Sequence, residues 1–361
     1  MSTDRDALHK RLGEISDPHT GLPLGQAGAV RGLAVESGRA AVDIRLGYPA
    51  EGWRSGLVSE VRQAIHSAAG ISEVTVDVDW KVAQHAVQHG LTPLPGVRNV
   101  IAIASGKGGV GKSTVAVNLA LALQAEGARV GVLDADIYGP SIPRMLGLAG
   151  RPEPTENKKI LPMAAHGLQA MSIGVLVGTD QAMIWRGPMA TQALQQMFND
   201  TVWDDLDYLV VDLPPGTGDI QLTLAQRIPV AGSLVVTTPQ AVALDDVRRA
   251  ASMFAKVKVP VLGVAENMSS YICPKCGHEE AVFGTGGGQS IAEEIGVPLV
   301  GQVPLNAGLG RSGDEGVPVV AAEPEGEVAG RFRTMARNAA GRLSREAANK
   351  KVRMPKISIT E

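Results

Sequence analysis

Residues 106–113 of this 361-residue chain, Gly106-Lys107-Gly108-Gly109-Val110-Gly111-Lys112-Ser113, set glycines, lysine and a hydroxyl at the spacing that cradles phosphate. Glycines let backbone amides close around an anion, Lys112 can reach β- and γ-phosphates, and Ser113 can ligate magnesium. Thr114 follows and is counted with the nucleotide-contacting residues. The chemistry expected is binding and hydrolysis of ATP with Mg2+. Two acidic stretches suit the same site. Asp134 and Asp136 end the run Val130-Gly131-Val132-Leu133-Asp134-Ala135-Asp136, and Asp212 ends Tyr208-Leu209-Val210-Val211-Asp212 before Leu213-Pro214-Pro215-Gly216. Asp212 fits a magnesium-associated acid, and Gly216 can present its amide to the γ-phosphate.

A second chemistry is written into Cys273-Pro274-Lys275-Cys276-Gly277-His278, which holds the chain's two cysteines. Thiols three residues apart can turn to one metal. Tetrahedral zinc or an iron-sulfur cluster wants about four ligands, so one chain supplies half a site and a symmetric dimer would supply four thiolates. Zinc, with His278 as an additional ligand, stays open beside a bridging cluster. A thioredoxin-like redox pair is weaker, because the cysteines follow Asn267 inside a larger α/β pattern rather than opening their own βαβ unit.

These groups need a parallel sheet to bring them together. From Asn99 onward, apolar runs at Val100–Ala104, Val130–Leu133, Leu209–Val211, Leu234–Val236, Val261–Val264 and Leu299–Val303 alternate with helical segments. Continuous apolar runs predict strands buried on both faces, and ligands collect at the carboxyl ends of such strands. The phosphate loop lies after one of these strands and before a helix opening near Lys112, where its mechanism requires it. The expectation is a doubly wound, mostly parallel α/β P-loop NTPase domain at 98–347, preceded by a small α/β domain at 1–88 and a linker at 89–97. In the small domain a helix runs from Arg5 to Ile15, Val42, Ile44 and Leu46 alternate with polar residues, Leu57, Val61 and Ile65 share a helical face, and Val74, Val76 and Val78 alternate again. The linker is rich in Pro and Gly. A last helix of about 327–347 carries a core-packing stripe of Val328, Phe332, Met335 and Leu343, and a basic tail with Lys350, Lys351 and Arg353 follows.

Lys107, a second lysine inside the loop, resembles the deviant loop of the MinD, ParA and nitrogenase iron-protein class. That resemblance implies that Lys107 crosses a dimer interface to the partner's nucleotide. It also implies that Asp136 positions water or accepts a proton, that Asp134 supports the magnesium shell, and that Asn267 reads adenine through its carboxamide. On this reading Lys107, Lys112 and Asp136 are the catalytic residues.

Together with the cysteine pair, the stretches Asp134-Ala135-Asp136-Ile137-Tyr138-Gly139-Pro140-Ser141, Trp185-Arg186-Gly187-Pro188-Met189, Asp212–Asp219 and Glu266-Asn267-Met268-Ser269 resemble the Mrp/ApbC family of iron-sulfur cluster carriers. The resemblance covers nearly the whole chain. It implies a homodimer that hydrolyses ATP, binds a [4Fe-4S] cluster at Cys273 and Cys276, and transfers it to apo iron-sulfur proteins. The sequence departs from the family at Tyr48-Pro49, where Cys-Pro is common, and at Leu305–Leu309, whereas Ser312–Gly316 fits.

Composition bounds the alternatives. Apolar residues make up 44% of the chain and the net charge is −3, with a pI near 6.2, so no global basic field recruits nucleic acid. The polar start Met1–Asp6 lacks a signal sequence and no apolar run reaches membrane-spanning length, so the expectation is a cytoplasmic protein without membrane or nucleic-acid partners. A MinD- or ParA-like positioning ATPase is the competing reading, and it would need a membrane helix or a basic surface.

Overall fold

The computed structural model describes residues 5–66, 71–177, 187–273 and 275–350. Trp185 and Arg186 of the motif above, and Lys351 and Arg353 of the tail, lie outside them. The chain forms two compact units, one of residues up to Ala86 with those from Ala340 onward, the other of Val87–Ala339.

In the first unit, α1 (Arg5–Glu14) precedes β1 (Ser16–Asp17) and β2 (Leu22–Pro23), and then come β3 (Val30–Glu36), β4 (Arg39–Leu46), α2 (Glu51–His66) and β5 (Glu73–Trp80). β4 pairs antiparallel with β3 and parallel with β5, and a parallel pair needs the crossover that α2 supplies. Val42, Ile44 and Leu46 of β4 are buried while Asp43 and Arg45 face out, the pleat alternation predicted from sequence. Leu57, Val61 and Ile65 are the buried face of α2. Tyr48 is fully buried, and its hydroxyl donates to Asp17 Oδ1 at 2.8 Å, so this departure from the family pattern is a core side chain.

The second unit begins with β6 (Val97–Ala104), α3 (Lys112–Ala125), β7 (Val130–Asp134), α4 (Ile142–Met145), β8 (Met163–Ala165), β9 (Leu168–Ser172), α5 (Ile173–Val177) and α6 (Gly187–Asp200). It continues with β10 (Leu206–Asp212), α7 (Asp219–Arg227), β11 (Gly232–Thr237), α8 (Ala241–Lys256), β12 (Val261–Ile272), β13 (Glu279–Glu280), α9 (Gly287–Glu294), β14 (Leu299–Leu305), α10 (Ala307–Asp314), α11 (Val319–Ala322) and the start of α12 (Glu327–Lys350). Its nine-stranded sheet runs β13-β12-β11-β6-β10-β7-β9-β8, with β14 also on β12. The pairs are parallel except β12 with β13 and β8 with β9. Each apolar run read from the sequence is one of these strands, and β10 and β11 are buried along nearly their whole length. The connection after β6 runs past β10 to β7 and the connection after β10 runs past β6 to β11, and this reversal opens a crevice at the carboxyl ends of the two neighbouring strands.

The stripe on α12 packs inward, with Val328, Phe332, Met335 and Leu343 all buried. Within the second unit α12 is also held by charge. Glu126, fully buried at the end of α3, accepts from Arg333 Nε at 2.9 Å and Arg337 Nη1 at 2.6 Å. Glu126→Ala deprives two half-buried guanidiniums of this carboxylate, so a loss of about 3 kcal/mol is expected, read as a lower urea midpoint. Among the described residues no helix is long and apolar enough to cross a membrane.

Candidate functional site

The phosphate loop joins β6 to α3 at the carboxyl edge of the sheet. α3 opens on Lys112 with no side-chain cap, so its first backbone amides are available to an anion. Gly111 has φ 79°, and a Cβ there would meet Asn267 Nδ2 at 2.1 Å, so only glycine allows both the loop's path and the approach of β12. A cleft of about 500 Å³ lies over the loop, lined in part by Lys107, Lys112, Ser113, Thr114 and Asp136.

The register of the parallel sheet gathers the acids. Asp212 on β10 is level with Asp134 on β7, and both are fully buried. Lys112 Nζ donates to Asp212 Oδ1 at 2.6 Å and lies 3.5 Å from Asp136 Oδ2, and Ser113 Oγ donates to Asp212 Oδ2 at 2.5 Å. Burial pushes the Asp212 carboxyl up from its ordinary value, opposed by the Lys112 charge and by the Lys112 and Ser113 hydrogen bonds. Burial pushes Asp134 up to about 8, and the Asp212 charge adds to the shift. Asp134 is a loop organiser: it accepts from the Asp136 amide at 3.1 Å, the Ile142 amide at 3.3 Å and the Ser172 hydroxyl at 2.9 Å.

Two predicted contacts are turned toward protein. The Gly216 amide donates to the Ser105 carbonyl at 3.0 Å. Asn267 Nδ2 donates to the Val110 carbonyl at 2.9 Å and its Oδ1 accepts from Met268 N at 3.0 Å, leaving one hydrogen and one lone pair of the carboxamide for another partner. The loop acids also meet a test for magnesium. Asp136 Oδ1 is buried without a hydrogen-bond partner, and with Asp212 and the Ser113 hydroxyl it forms an all-oxygen set suited to a hard cation.

Sequence reasoning did not find the cleft's outer wall. Ser141, Arg144 and Met145 around α4 face Leu309, Gly310, Gly313 and Asp314 of α10, and Arg144 pairs with Asp314 at 3.4 Å. The available signal was the pair Gly310 and Gly313, three apart on one helix, which leaves the cleft side of α10 without side-chain bulk. Ser172 was missed because a serine at a strand end has many ordinary uses.

The cysteine turn closes the end of β12 against β13. Cys273 N donates to the His278 carbonyl and Gly277 N to the Cys273 carbonyl, both at 2.9 Å, with Gly277 at φ 70°. The amides of Lys275 and Cys276 donate to the Cys273 sulfur and hold its thiol below its ordinary pKa, with the Cys276 thiol adding to the effect. Cys276 is exposed, Cys273 partly so, and neither forms a disulfide. Among the described residues no three or more His, Cys, Asp or Glu gather as a metal site.

A glycine-rich loop between β6 and α3, facing acids on β7 and β10 in a mostly parallel sheet, defines a P-loop NTPase. Residues 96–340 match the family described as ParA, NUBPL iron-transfer P-loop NTPase, and residues 5–78 match the iron-sulfur cluster assembly protein family. The iron-sulfur cluster carrier protein of Haemophilus influenzae is 52% identical over 307 residues, covering 84% of this chain and 82% of that one. The solved nucleotide-binding protein of Archaeoglobus fulgidus in complex with ADP is 34% identical, with a TM-score of 0.57 over 64% of this chain and 90% of that one. The MinD of Pyrococcus horikoshii, solved with Mg-ADP, shares the fold at 22% identity and a TM-score of 0.50, covering 66% of this chain and 94% of that one. The chain belongs to the iron-sulfur cluster carrier family of P-loop NTPases.

Proposed function

We propose that the protein hydrolyses ATP and carries a [4Fe-4S] cluster as cargo between two copies of itself, each giving Cys273 and Cys276, and that it passes the cluster to apo iron-sulfur proteins. The carrying observation is the cysteine turn. Backbone amides already point at one sulfur, the pair is open to solvent, and one chain offers two thiolates where a cluster takes about four. The reading is further supported by the curated relative's description as an iron-sulfur cluster carrier protein.

In this proposal the phosphates enter the loop over α3. Lys112 exchanges the Asp212 carboxylate for β- and γ-phosphate oxygens, and the Gly216 amide exchanges the Ser105 carbonyl for the γ-phosphate. Ser113, Asp212 and Asp136 would hold Mg2+, which when bound would neutralise charge on the phosphates. Asp136 orients the attacking water, Asp134 holds the loop that carries Asp136, Asn267 turns its remaining valences to adenine, and Lys107 reaches the partner's nucleotide. The family resemblance supplies the roles of Asp136, Asn267 and Lys107, and the cleft lining supports those of Lys107 and Asp136. The hydrogen bonds of Asp134 support its loop-holding role in place of the magnesium-shell role that the resemblance implies. The domain reading is likewise proposed as one small α/β domain before the NTPase.

The test is anaerobic reconstitution with iron and sulfide, followed by absorption and Mössbauer spectroscopy. The expected result is a [4Fe-4S] signal on a dimer. A chain that takes up zinc and never a cluster would sink the carrier reading.

A further inference from the structure

β12 touches the phosphate loop through Asn267 and leads into the cysteine turn at its far end. Its first half, to Asn267, is locked in the sheet between β11 and β14. Its far end, Tyr271 and Ile272, pairs with β13 and leads directly into Cys273. Between the halves the pairing with β14 breaks: Asn267 is level with Val303 and Tyr271 with Leu305, so four steps along β12 match two along β14. The break begins at Met268, a non-glycine residue held at φ 56°. Such a backbone persists where its surroundings fix it, and here the Met268 amide is bonded to the Asn267 side chain. The other end of that carboxamide holds the Val110 carbonyl inside the phosphate loop.

We infer that Asn267 and Met268 are positioning residues that couple the phosphate loop to the cysteine turn. A single peptide plane links the Val110 carbonyl to the Gly111 amide, so a phosphate drawing on that amide tilts the carbonyl that Asn267 holds. The carboxamide is rigid and engaged at both ends, so its rotation is felt at the Met268 amide. The left-handed well of a methionine is narrow, so the path of residues 268–272, and with it the setting of Cys273, follows. The inference rests on the proposal that Cys273 and Cys276 hold the cargo, and it gives nucleotide state a physical route to them.

The experiment reads thiol accessibility in the full chain without metal. Cys273 and Cys276 are alkylated with iodoacetamide, with and without saturating Mg-ATP analogue, and the rates are followed peptide by peptide. In the unaltered protein the Cys273 rate should change by roughly threefold or more on nucleotide binding, the low end of the coupling carried by side-chain networks. Asn267→Ala removes both hydrogen bonds and should bring that ratio close to one at saturating nucleotide. Met268→Gly keeps the backbone donor and replaces no residue of the phosphate loop; because the Met268 side chain ends near Gly111, nucleotide affinity is titrated first and the ratio is read at saturating nucleotide. Glycine populates several backbone wells, and the ratio should again collapse. If Asn267→Ala loses nucleotide altogether, Met268→Gly decides. A nucleotide-independent rate in the unaltered protein, or an undiminished ratio in Met268→Gly, overturns the inference. Parallel iron and sulfide reconstitution separates this from the carrier reading: cluster binding without a nucleotide effect on the thiols removes only the coupling, and a nucleotide effect without cluster binding removes only the cargo.

Discussion

Lys112→Ala is expected to lower ATP hydrolysis by about 10²–10³-fold, the loss that follows removal of one preorganised charged donor at a reacting centre. The geometry sharpens the reason. Lys112 is buried, and its ammonium lies between Asp212 and Asp136. Alanine removes the cation meant for the phosphates and also the one that offsets the burial of Asp212. Burial already raises the Asp212 carboxyl, and without Lys112 it rises further, so the variant places a more readily protonated acid where the proposed magnesium ligands would need an anion. Phosphate release under saturating Mg-ATP checks the rate, and fluorescent-nucleotide titration checks binding. Lys112→Arg should recover little, because a planar fork does not fit where a compact ammonium sits against two carboxylates. Unchanged turnover in Lys112→Ala would remove the loop from the chemistry.

How far the sequence led depends on the kind of signal. The central strands were legible because burial on both faces forces continuous apolar runs, and β6, β7, β10 and β11 carry them. The half-buried β4 showed its alternation for the same reason. β8, β13 and the far half of β12 were not legible. They are short or partly exposed, and Ser269 and Ser270 interrupt the apolar pattern just where the chain bends toward the cysteines. Periodicity reports burial, and these segments are held by pairing and turns.

The site divides along the same line. Lys112, Ser113, Asp136 and Asp212 were legible as candidates because phosphate and magnesium binding would need such residue types at such spacings, and the structure brings them together. Asp134 and Asn267 were recognised as site residues, but their hydrogen-bond partners were invisible. Whether a carboxylate faces a cation or gathers backbone amides depends on contacts such as Ser172, 38 residues away in sequence. Arg144 and Asp314 were missed because a surface ion pair between α4 and α10 leaves no pattern in either helix.

Cys273→Ala should abolish cluster binding while leaving nucleotide binding intact, and it is the sharpest test of the two-chain site. Two backbone hydrogen bonds of the turn do not involve the thiol: Cys273 N still donates to the His278 carbonyl and the Cys273 carbonyl still accepts from Gly277 N. Alanine keeps these two bonds while it deletes the sulfur that the Lys275 and Cys276 amides face. In the unaltered protein, four thiolates shared by two chains should hold roughly two iron atoms per chain. In Cys273→Ala each dimer keeps two thiolates, both from Cys276, which is below what a cubane needs, and iron content should fall to background with loss of the charge-transfer absorption. Cys276→Ala should do the same. A mixed dimer with one altered chain keeps three thiolates and should hold a labile cluster, so cluster lifetime should fall stepwise with the number of altered chains. A site completed within one chain would instead leave half of the clusters in the mixed dimer fully stable, so the shape of the decay separates shared ligation from two independent sites.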